Sequence, residues 1–348
     1  MLAAGTKVAG AAATGTHDSA RGWKRVTEPV EQFLAGVTAR LAEEVREFDS
    51  GLAAYAEYAL TGQGKQLRPA LLGLSAQATG GLNESHVTAA VIVEMVHLAT
   101  LVHDDVMDEA EIRRGRLTFA ANWGNETAVL FGDCLFAQAL QLAASYPTPD
   151  VCRAVAAATK RVCSGEILQN HQRNSFDLPQ DEYLRVLEMK TGELFALACE
   201  LGAFLNGAPA TAQSALRKFG LALGTAYQLY DDCLDVFGTE AEAGKSLGTD
   251  LVKGKPTLPV LLFWEHATAA QRQELRELLA HWAPGTFNRL QAMLSTPQTL
   301  RRAALLVEKH LRAACDALSG LGAGKQGLIE LADYLRCQAR TLCARAAA

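Results

Sequence analysis

The sequence contains little of what marks a sheet protein, a disulfide-bonded protein or a nucleic-acid-binding protein. Aromatic residues make up 7% of the chain, and alternating or β-branched runs are scarce, which disfavours strands. No cysteine stands in a C-x-x-C pair, so the 8 cysteines indicate reduced thiols in the cytoplasm. A net charge of −5 gives no support for nucleic-acid binding. No uninterrupted apolar stretch reaches the roughly 18–20 residues that cross a bilayer, so we expect no transmembrane segment.

What the sequence does contain favours helices and a large core. Alanine and leucine dominate, and 49% of the 348 residues are apolar. No linker is long or polar enough to divide the chain, so we predict one all-α domain over residues 23–348. Residues 1–22 are rich in alanine, glycine and threonine and lack a leucine-rich core. We expect them to be a disordered extension and not a signal peptide.

Two predicted helices carry the same acidic motif, D-D-x-x-D, near their ends. One helix runs from about Glu84 to Asp108 with Asn83 as its N-cap, and the other covers residues 210–237. The motif residues are Asp104, Asp105 and Asp108 in the first helix and Asp231, Asp232 and Asp235 in the second. Clustered carboxylates repel one another unless a cation lies among them, and oxygen ligands suit Mg²⁺ first and Mn²⁺ second. A single motif of this kind is equally typical of a solvated helix end.

Cationic residues occur in separate short motifs. Lys65 and Arg68 lie three apart at a predicted helix start, where they can clamp an anion together with backbone N–H groups. Lys190 and Thr191 interrupt the apolar face of a helix that begins near Pro179. Because a buried lysine is costly without a partner, an anion or a carboxylate should lie nearby. Two acidic motifs that face each other among such cations indicate a metal-assisted site for a diphosphate.

Together these motifs resemble the all-trans isoprenyl (polyprenyl) diphosphate synthases from about residue 30 to the end. The matching motifs are G-K-x-x-R-P at 64–69, H-x-x-x-x-x-H-D-D-x-x-D at 97–108, R-R-G at 113–115, K-T at 190–191, Q-x-x-D-D-x-x-D at 228–235 and the run from Lys245 through G-K-P-T-L-P at 254–259. Two positions depart from the pattern: Gln63 replaces a glycine, and Lys253 stands where an acid is common. The resemblance implies a bundle of long helices around a central cavity, and a homodimer.

The resemblance also implies a role for each matching residue. The metal ligands would be Asp104, Asp108, Asp231 and Asp235, supported by Asp105 and Asp232. Isopentenyl diphosphate would be bound by Lys65, Arg68, His97 and Arg114. The allylic diphosphate would be bound by Arg113, Lys190, Lys245 and Lys255, with Thr191 and Gln228 beside the reacting carbon. The implied reaction is a head-to-tail trans condensation in which the departed pyrophosphate takes the proton, since no dedicated side-chain base is evident.

Two small residues predict a long product. In the family, bulky aromatics four and five positions before the first acidic motif stop growth, whereas this chain has Ala99 and Thr100 there. One helical turn rises about 5.4 Å, close to one extended isoprene unit, so we predict a product of about seven to ten units. A geranylgeranyl or farnesylgeranyl product is the second candidate. Release of such a tail would involve transient contact with a membrane.

Three other functions stay open at this point. A class I terpene cyclase or head-to-head condensing enzyme shares the first acidic motif, but not the second together with Lys65, Arg68 and His97. A non-catalytic partner subunit would be expected to lose aspartates, and this chain keeps all six. A phosphohydrolase that uses His103 and Asp104 would need further histidine ligands, and no convincing set is present. Structural roles are also open, since His97 would suit a buried core position and Gln228 a cap on buried backbone.

Overall fold

The computed structural model describes residues 21–61, 64–113, 115–243, 246–283 and 285–347, which form a helical bundle. Its first helices are α1 (21–27), α2 (Glu31–Glu44), α3 (Ala53–Thr61), α4 (Leu67–Thr79), α5 (Glu84–Met107), α6 (Phe119–Trp123), α7 (Asn125–Ala144), α8 (Asp150–His171), α9 (Gln180–Leu187) and α10 (Glu193–Phe204). The remainder are α11 (Ala210–Phe237), α12 (Glu240–Ala243), α13 (Thr249–Val252), α14 (Leu258–His266), α15 (Ala269–Ala280), α16 (Thr286–Leu294), α17 (Pro297–Ala317) and α18 (Gln326–Ala346). Short 3₁₀ turns cover Glu28–Val30, Val45–Glu47, Ser50–Leu52 and Ala323–Lys325.

The only sheet among the described residues is a two-stranded antiparallel hairpin, β1 (Ile112–Arg113) paired with β2 (Arg116–Leu117). The prediction of an all-α fold is therefore confirmed. Residues 21 and 22, which the sequence assigned to a disordered extension, are helical. Residues 1–20, the rest of that extension, lie outside the described residues.

Helix α5 begins at Glu84 and ends beside Asp108, as the sequence predicts. Its start is fixed by two reciprocal hydrogen bonds between Asn83 and His86. The Asn83 side chain accepts a hydrogen bond from the backbone N–H of His86 at 3.3 Å. In return, Nδ1 of His86 accepts one from the backbone N–H of Asn83 at 3.2 Å, which completes a capping box. The apolar face of α5 packs against α2, α4, α7 and α10, so this helix runs through the core. Its C-terminal end carries the first acidic motif to the edge of that core.

A short π-helical segment, Glu188–Gly192, joins α9 to α10 and carries Lys190 and Thr191. Two glycines let neighbouring helices approach this segment closely. A Cβ atom on Gly165 of α8 would lie 2.8 Å from the backbone nitrogen of Lys190. A Cβ atom on Gly224 of α11 would lie 2.8 Å from the Cα atom of Gly192. Because only glycine fits at these contacts, α8 and α11 lie directly against the π segment and bring their polar residues to it.

Within the described ranges, two helices, α5 and α7, are long and apolar enough to cross a membrane by length and composition. The apolar window of α5 is 67% buried inside the protein, whereas that of α7 is 33% buried. The expectation that the chain has no transmembrane segment is therefore not confirmed by this criterion. The burial of α5 is typical of the core helix of a globular protein.

The close contact at Gly224 predicts the effect of adding one methyl group. Gly224→Ala should destabilise the protein by about 1–3 kcal/mol, because overpacking forces α11 away from the π segment. Gly36→Ala is the matched control, since a Cβ atom there meets only ordinary contact at 3.9 Å. That control should be neutral or more stable by roughly 0.5–1 kcal/mol, as expected for alanine in a helix. Chemical denaturation measures both, and a Gly224→Ala protein as stable as the control would contradict the packing described.

Candidate active site

A cavity of about 1070 Å³ lies among α4, α5, α7, α8, α10, α11 and α18. This volume is at the upper end of the range for small-molecule sites. Its polar wall includes Lys65, Arg68, His97, Asp104, Arg113, Glu166, Lys190, Thr191, Gln228 and Asp231. Its apolar wall includes Leu101, Val129, Phe136, Val162, Phe195 and Leu223. The structure thus brings residues from both acidic motifs and from three cationic motifs to one space.

Lys190 lies at the centre of the polar wall and is held by carboxylates. Its Nζ atom pairs with Glu166, lies 3.7 Å from Oδ2 of Asp104, and donates a hydrogen bond to Oε1 of Gln169 at 3.0 Å. Burial alone would lower the pKa of Lys190, but the charges of Asp104 and Glu166 outweigh burial and raise that pKa above its usual range. The sequence-based expectation that Lys190 has a carboxylate nearby is confirmed.

Glu166 and Gln169 were not predicted as site residues. They lie three apart on α8, so they share one helix face, which also carries the cavity-lining Val162 and Cys163. Lys190 needs a buried partner, and α8 offers a glutamate on a face of mostly small and apolar residues. Together these two features could have identified Glu166. Sequence periodicity alone does not show which helix meets Lys190.

A chain of hydrogen bonds orients Thr191 and Gln228. The hydroxyl of Thr191 donates to Oε1 of Gln228 at 3.0 Å, and Nε2 of Gln228 donates to Oδ1 of Asp232 at 3.0 Å. Asp232 also accepts from the hydroxyl of Tyr183 and from the backbone N–H of Leu258. Burial raises the pKa of Asp232 to about 7, against the opposing effect of the Tyr183 hydrogen bond. The amide of Gln228 is therefore fixed with its oxygen towards Thr191.

The second acidic motif contributes only its first aspartate to the cavity wall. Asp231 lines the cavity, while Asp232 and Asp235 are 5% and 0% exposed and lie behind it. Asp235 accepts hydrogen bonds from the hydroxyl of Thr249 at 3.2 Å and from the backbone N–H of Asp250 at 3.4 Å. The predicted metal role of Asp235 is not matched by a place on the wall, because these contacts turn its carboxylate towards α13.

The other two aspartates of the first motif are paired with cations. Asp105 accepts a hydrogen bond from Nε of Arg113 at 2.8 Å, and Nη2 of Arg113 lies 2.8 Å from the same carboxylate oxygen. Asp108 lies 2.7 Å from Nζ of Lys255, the residue predicted to bind the allylic diphosphate. Burial would raise the pKa of Asp108, but Lys255 and neighbouring lysines outweigh burial and hold that pKa below its usual value.

A separate cationic group lines the cavity at the start of α4. Lys65, Arg68 and His97, predicted to bind isopentenyl diphosphate, all lie on the wall. The guanidinium of Arg68 stacks over the ring of Phe195 at 5.0 Å, which holds it in a fixed plane. Arg114 and Lys245, predicted to bind the two diphosphates, and Gln63 lie outside the described residues.

The two predicted chain-length residues lie in different places. Thr100 lines the cavity, and its hydroxyl donates to the backbone oxygen of His97 at 2.7 Å. Ala99 is fully buried in the core and does not line the cavity. His103 packs on Phe136 and lies with Nε2 3.0 Å from the backbone oxygen of Val129, so it joins α5 to α7. Thr100 is therefore the only residue of the predicted pair that lines the cavity.

The oxygen ligands of the site suit a metal that arrives with its substrate. Among the residues that the structure describes, no three His, Cys, Asp or Glu side chains form a metal-binding group by themselves. Asp104 and Asp231, one from each acidic motif, do line the same cavity. Mg²⁺ is usually held by one or two carboxylates, substrate phosphates and water, and not by an all-protein cage. The donor set present fits Mg²⁺ bound in this way.

A helical bundle with one cavity lined by residues of two acidic motifs and several cationic motifs is typical of enzymes that act on prenyl diphosphates. The family model for polyprenyl synthetases matches residues 49–294. The chain belongs to the polyprenyl synthetase family and is accordingly a prenyltransferase.

Similar proteins include long-chain members of the family. The chain is 37% identical to octaprenyl diphosphate synthase of Escherichia coli over 253 residues, 73% of this chain and 78% of that protein. It is 36% identical to heptaprenyl diphosphate synthase component 2 of Geobacillus stearothermophilus over 308 residues, 87% and 94% of the two chains. The crystal structure of a decaprenyl diphosphate synthase from Rhodobacter capsulatus superposes with a TM-score of 0.84 at 34% identity, covering 91% of this chain and 99% of that one.

The hydrogen-bond chain through Asp232 predicts the effect of removing one hydroxyl. Tyr183→Phe should lower stability by about 1–3 kcal/mol, because a buried carboxylate loses one of its donors. It should also lower kcat with little change in KM, since Gln228 is then held less firmly. Tyr55→Phe, whose ring packs on Phe119 and Trp123, is the control. Thermal unfolding and steady-state kinetics measure both variants. If Tyr183→Phe changes neither the stability nor kcat, the hydrogen bonds through Asp232 do not orient Gln228.

Proposed function

We propose that the protein is a long-chain trans-polyprenyl diphosphate synthase, which adds isopentenyl diphosphate head to tail to an allylic prenyl diphosphate. This proposal rests on one observation: the same cavity is lined by residues of three cationic motifs, by Asp104 and Asp231, and by an apolar wall. The similarity to octaprenyl, heptaprenyl and decaprenyl diphosphate synthases supports a long product. A geranylgeranyl product has no stronger support.

The two diphosphates would occupy opposite parts of the polar wall. Lys65, Arg68 and His97 all line the cavity and would bind isopentenyl diphosphate, whose diphosphate is retained. The allylic diphosphate leaves in the reaction and so needs charge neutralisation as it departs. Lys190, Arg113 and the two acidic motifs lie on that side. Asp104 and Asp231 would hold Mg²⁺ there, and the bound ion would neutralise charge on the leaving oxygens.

The described residues support a carbocation reaction without a side-chain base. The C–O bond of the allylic diphosphate breaks, and the pyrophosphate keeps the bonding electrons. The double bond of isopentenyl diphosphate then forms the new C–C bond, and the pyrophosphate takes the proton that is lost. The oxygens of Thr191 and Gln228 lie on the wall in a fixed orientation, where their dipoles stabilise the developing positive charge.

Several expectations from the sequence stay predictions. Mg²⁺ as the ion, with Mn²⁺ as its substitute, belongs to this proposal. So do a homodimer, a cytoplasmic location and transient contact with a membrane during product release. The similarity to a protein named heptaprenyl diphosphate synthase component 2 gives the homodimer a specific alternative, a complex with a second component. Sedimentation of the purified chain alone tests between them.

The central test is an assay of condensation. The protein should convert isopentenyl diphosphate and an allylic primer into long polyprenyl diphosphates in the presence of Mg²⁺, with products dephosphorylated and sized by chromatography. Asp104→Ala and Asp231→Ala should each lower kcat by about a hundredfold or more, because the metal and the leaving diphosphate lose a ligand. Asp316→Ala on the exposed face of α17 is the control. Substantial Mg²⁺-dependent turnover in either site variant would refute the metal site.

The position of Thr100 predicts a change in product length. Thr100→Phe should shorten the product by several isoprene units, because the larger side chain projects into the cavity beside the acidic motif. Ala99→Phe should instead destabilise the protein by about 1–3 kcal/mol, since Ala99 is buried in a packed core. Chromatography of the products and thermal unfolding separate the two outcomes. An unchanged product from a folded, active Thr100→Phe enzyme would rule out growth past this residue.

A further inference from the structure

Asp108 is contacted by three cationic side chains, two of which the family pattern does not account for. Nζ of Lys255 lies 2.7 Å from Oδ2 of Asp108, Nη2 of Arg173 lies 3.3 Å from Oδ1, and Nζ of Lys253 lies 3.7 Å from Oδ2. Lys255 belongs to the G-K-P-T motif. Lys253 departs from the family pattern, and Arg173 lies just after the end of α8.

The fold brings these two extra cations together through one backbone contact. The N–H of Asn174 donates to the backbone oxygen of Gly254 at 2.7 Å, which joins the segment after α8 to the segment after α13. Gly254 has φ of +67°, and its position leaves no room for a Cβ atom beside Asn174. Arg173 and Lys253 are the chain neighbours of these two contact residues, so the contact fixes both beside the end of α5.

Lys255 is the innermost of the three cations. It is the nearest to Asp108, its side chain is only 7% exposed, and it also lies 3.7 Å from Oδ1 of Asp250. Lys253 and Arg173 are 24% and 32% exposed, and thus reach solvent beside the site. Nε of Arg173 is buried and has no hydrogen-bond partner within the described part of the chain. Like charges held this close repel one another, and a multivalent anion relieves that repulsion.

The geometry points to Lys253 and Arg173 as two further diphosphate-binding residues of this enzyme, at the edge of the cavity where the first acidic motif ends. This inference rests on the proposed function, because it assigns them to the diphosphate that departs from the allylic substrate. Lys253 and Arg173 do not line the cavity themselves; they add two positive charges at Asp108, the chain neighbour of Met107, which does line it. The site therefore binds diphosphate with measurable affinity even before a metal neutralises its aspartates.

Binding of inorganic pyrophosphate in the presence of a chelator tests this without turnover. Lys253→Gln and Arg173→Gln should each weaken metal-free binding about tenfold by titration calorimetry, as expected for the loss of a charge-assisted contact. Lys253→Glu, which introduces the acid common in the family, should weaken it further. Lys309→Gln on the exposed face of α17 is the matched control and should bind like the unchanged protein. Pyrophosphate affinities within twofold of the control would overturn the inference.

Two further measurements separate this inference from its competitors. If Lys253 and Arg173 only neutralise Asp108, their variants lower the unfolding temperature and leave pyrophosphate affinity unchanged, which overturns the inference. In kinetics, the variants should raise KM for the allylic diphosphate and leave KM for isopentenyl diphosphate unchanged. If the protein without substitutions shows no condensation activity, the proposed function is wrong. If it is active but its Lys253 and Arg173 variants bind pyrophosphate with normal affinity, only this inference is wrong.

Discussion

The ion pairing of the largely buried Lys190 ammonium group, whose side chain is 20% exposed, is the interaction on which the arrangement of this site depends. Lys190 projects from a π-helical segment and meets Glu166 of α8 and Asp104 of α5, so three separate helical elements converge on one charge. Such a group is stable in the interior only while its partners remain, because an unpaired buried charge costs several kcal/mol. The same contacts hold the first acidic motif open towards the cavity. The charge pairing that stabilises the fold thus also presents Asp104 to substrate.

Around this centre the protein separates two tasks that both involve diphosphates. At the start of α4 and in the middle of α5, Lys65, Arg68 and His97 line the cavity together with Glu94. At the end of α5, cations and carboxylates are interleaved, and each aspartate of the first motif already has a cationic partner. In the proposed function, the diphosphate that is retained and the one that departs would therefore be bound by different sets of residues. This difference follows from which helix end supplies each residue.

Much of the fold and part of the site could be predicted from the sequence, because those features are local. The capping box at Asn83 and the apolar period of α5 determine where that helix begins and ends. The orientation of carboxylates is not local. Asp231 and Asp235 lie four apart on one helix, yet only Asp231 lines the cavity, since Thr249 and Asp250 from a later segment bind Asp235.

The neighbours Ala99 and Thr100 show the same limit on a finer scale. Both are small, and the sequence gives them the same significance. Consecutive residues on a helix point about 100° apart, so one faces the core and the other the cavity, and only the packing of α5 decides which. Arg173 lies in a connecting segment where no periodicity marks its direction. Such residues become recognisable only when the segments that carry them are seen in contact.

The apolar wall of the cavity has a consequence for how the enzyme handles intermediates. A hydrocarbon tail that lengthens along this wall buries more surface at every addition, and each buried methylene contributes about 0.8 kcal/mol. A five-carbon unit that is fully buried therefore strengthens binding by about 4 kcal/mol. In the proposed reaction, partly grown chains would therefore be held more tightly than their precursors, which favours further elongation over release. Growth would end where a further unit gains no contact with the wall.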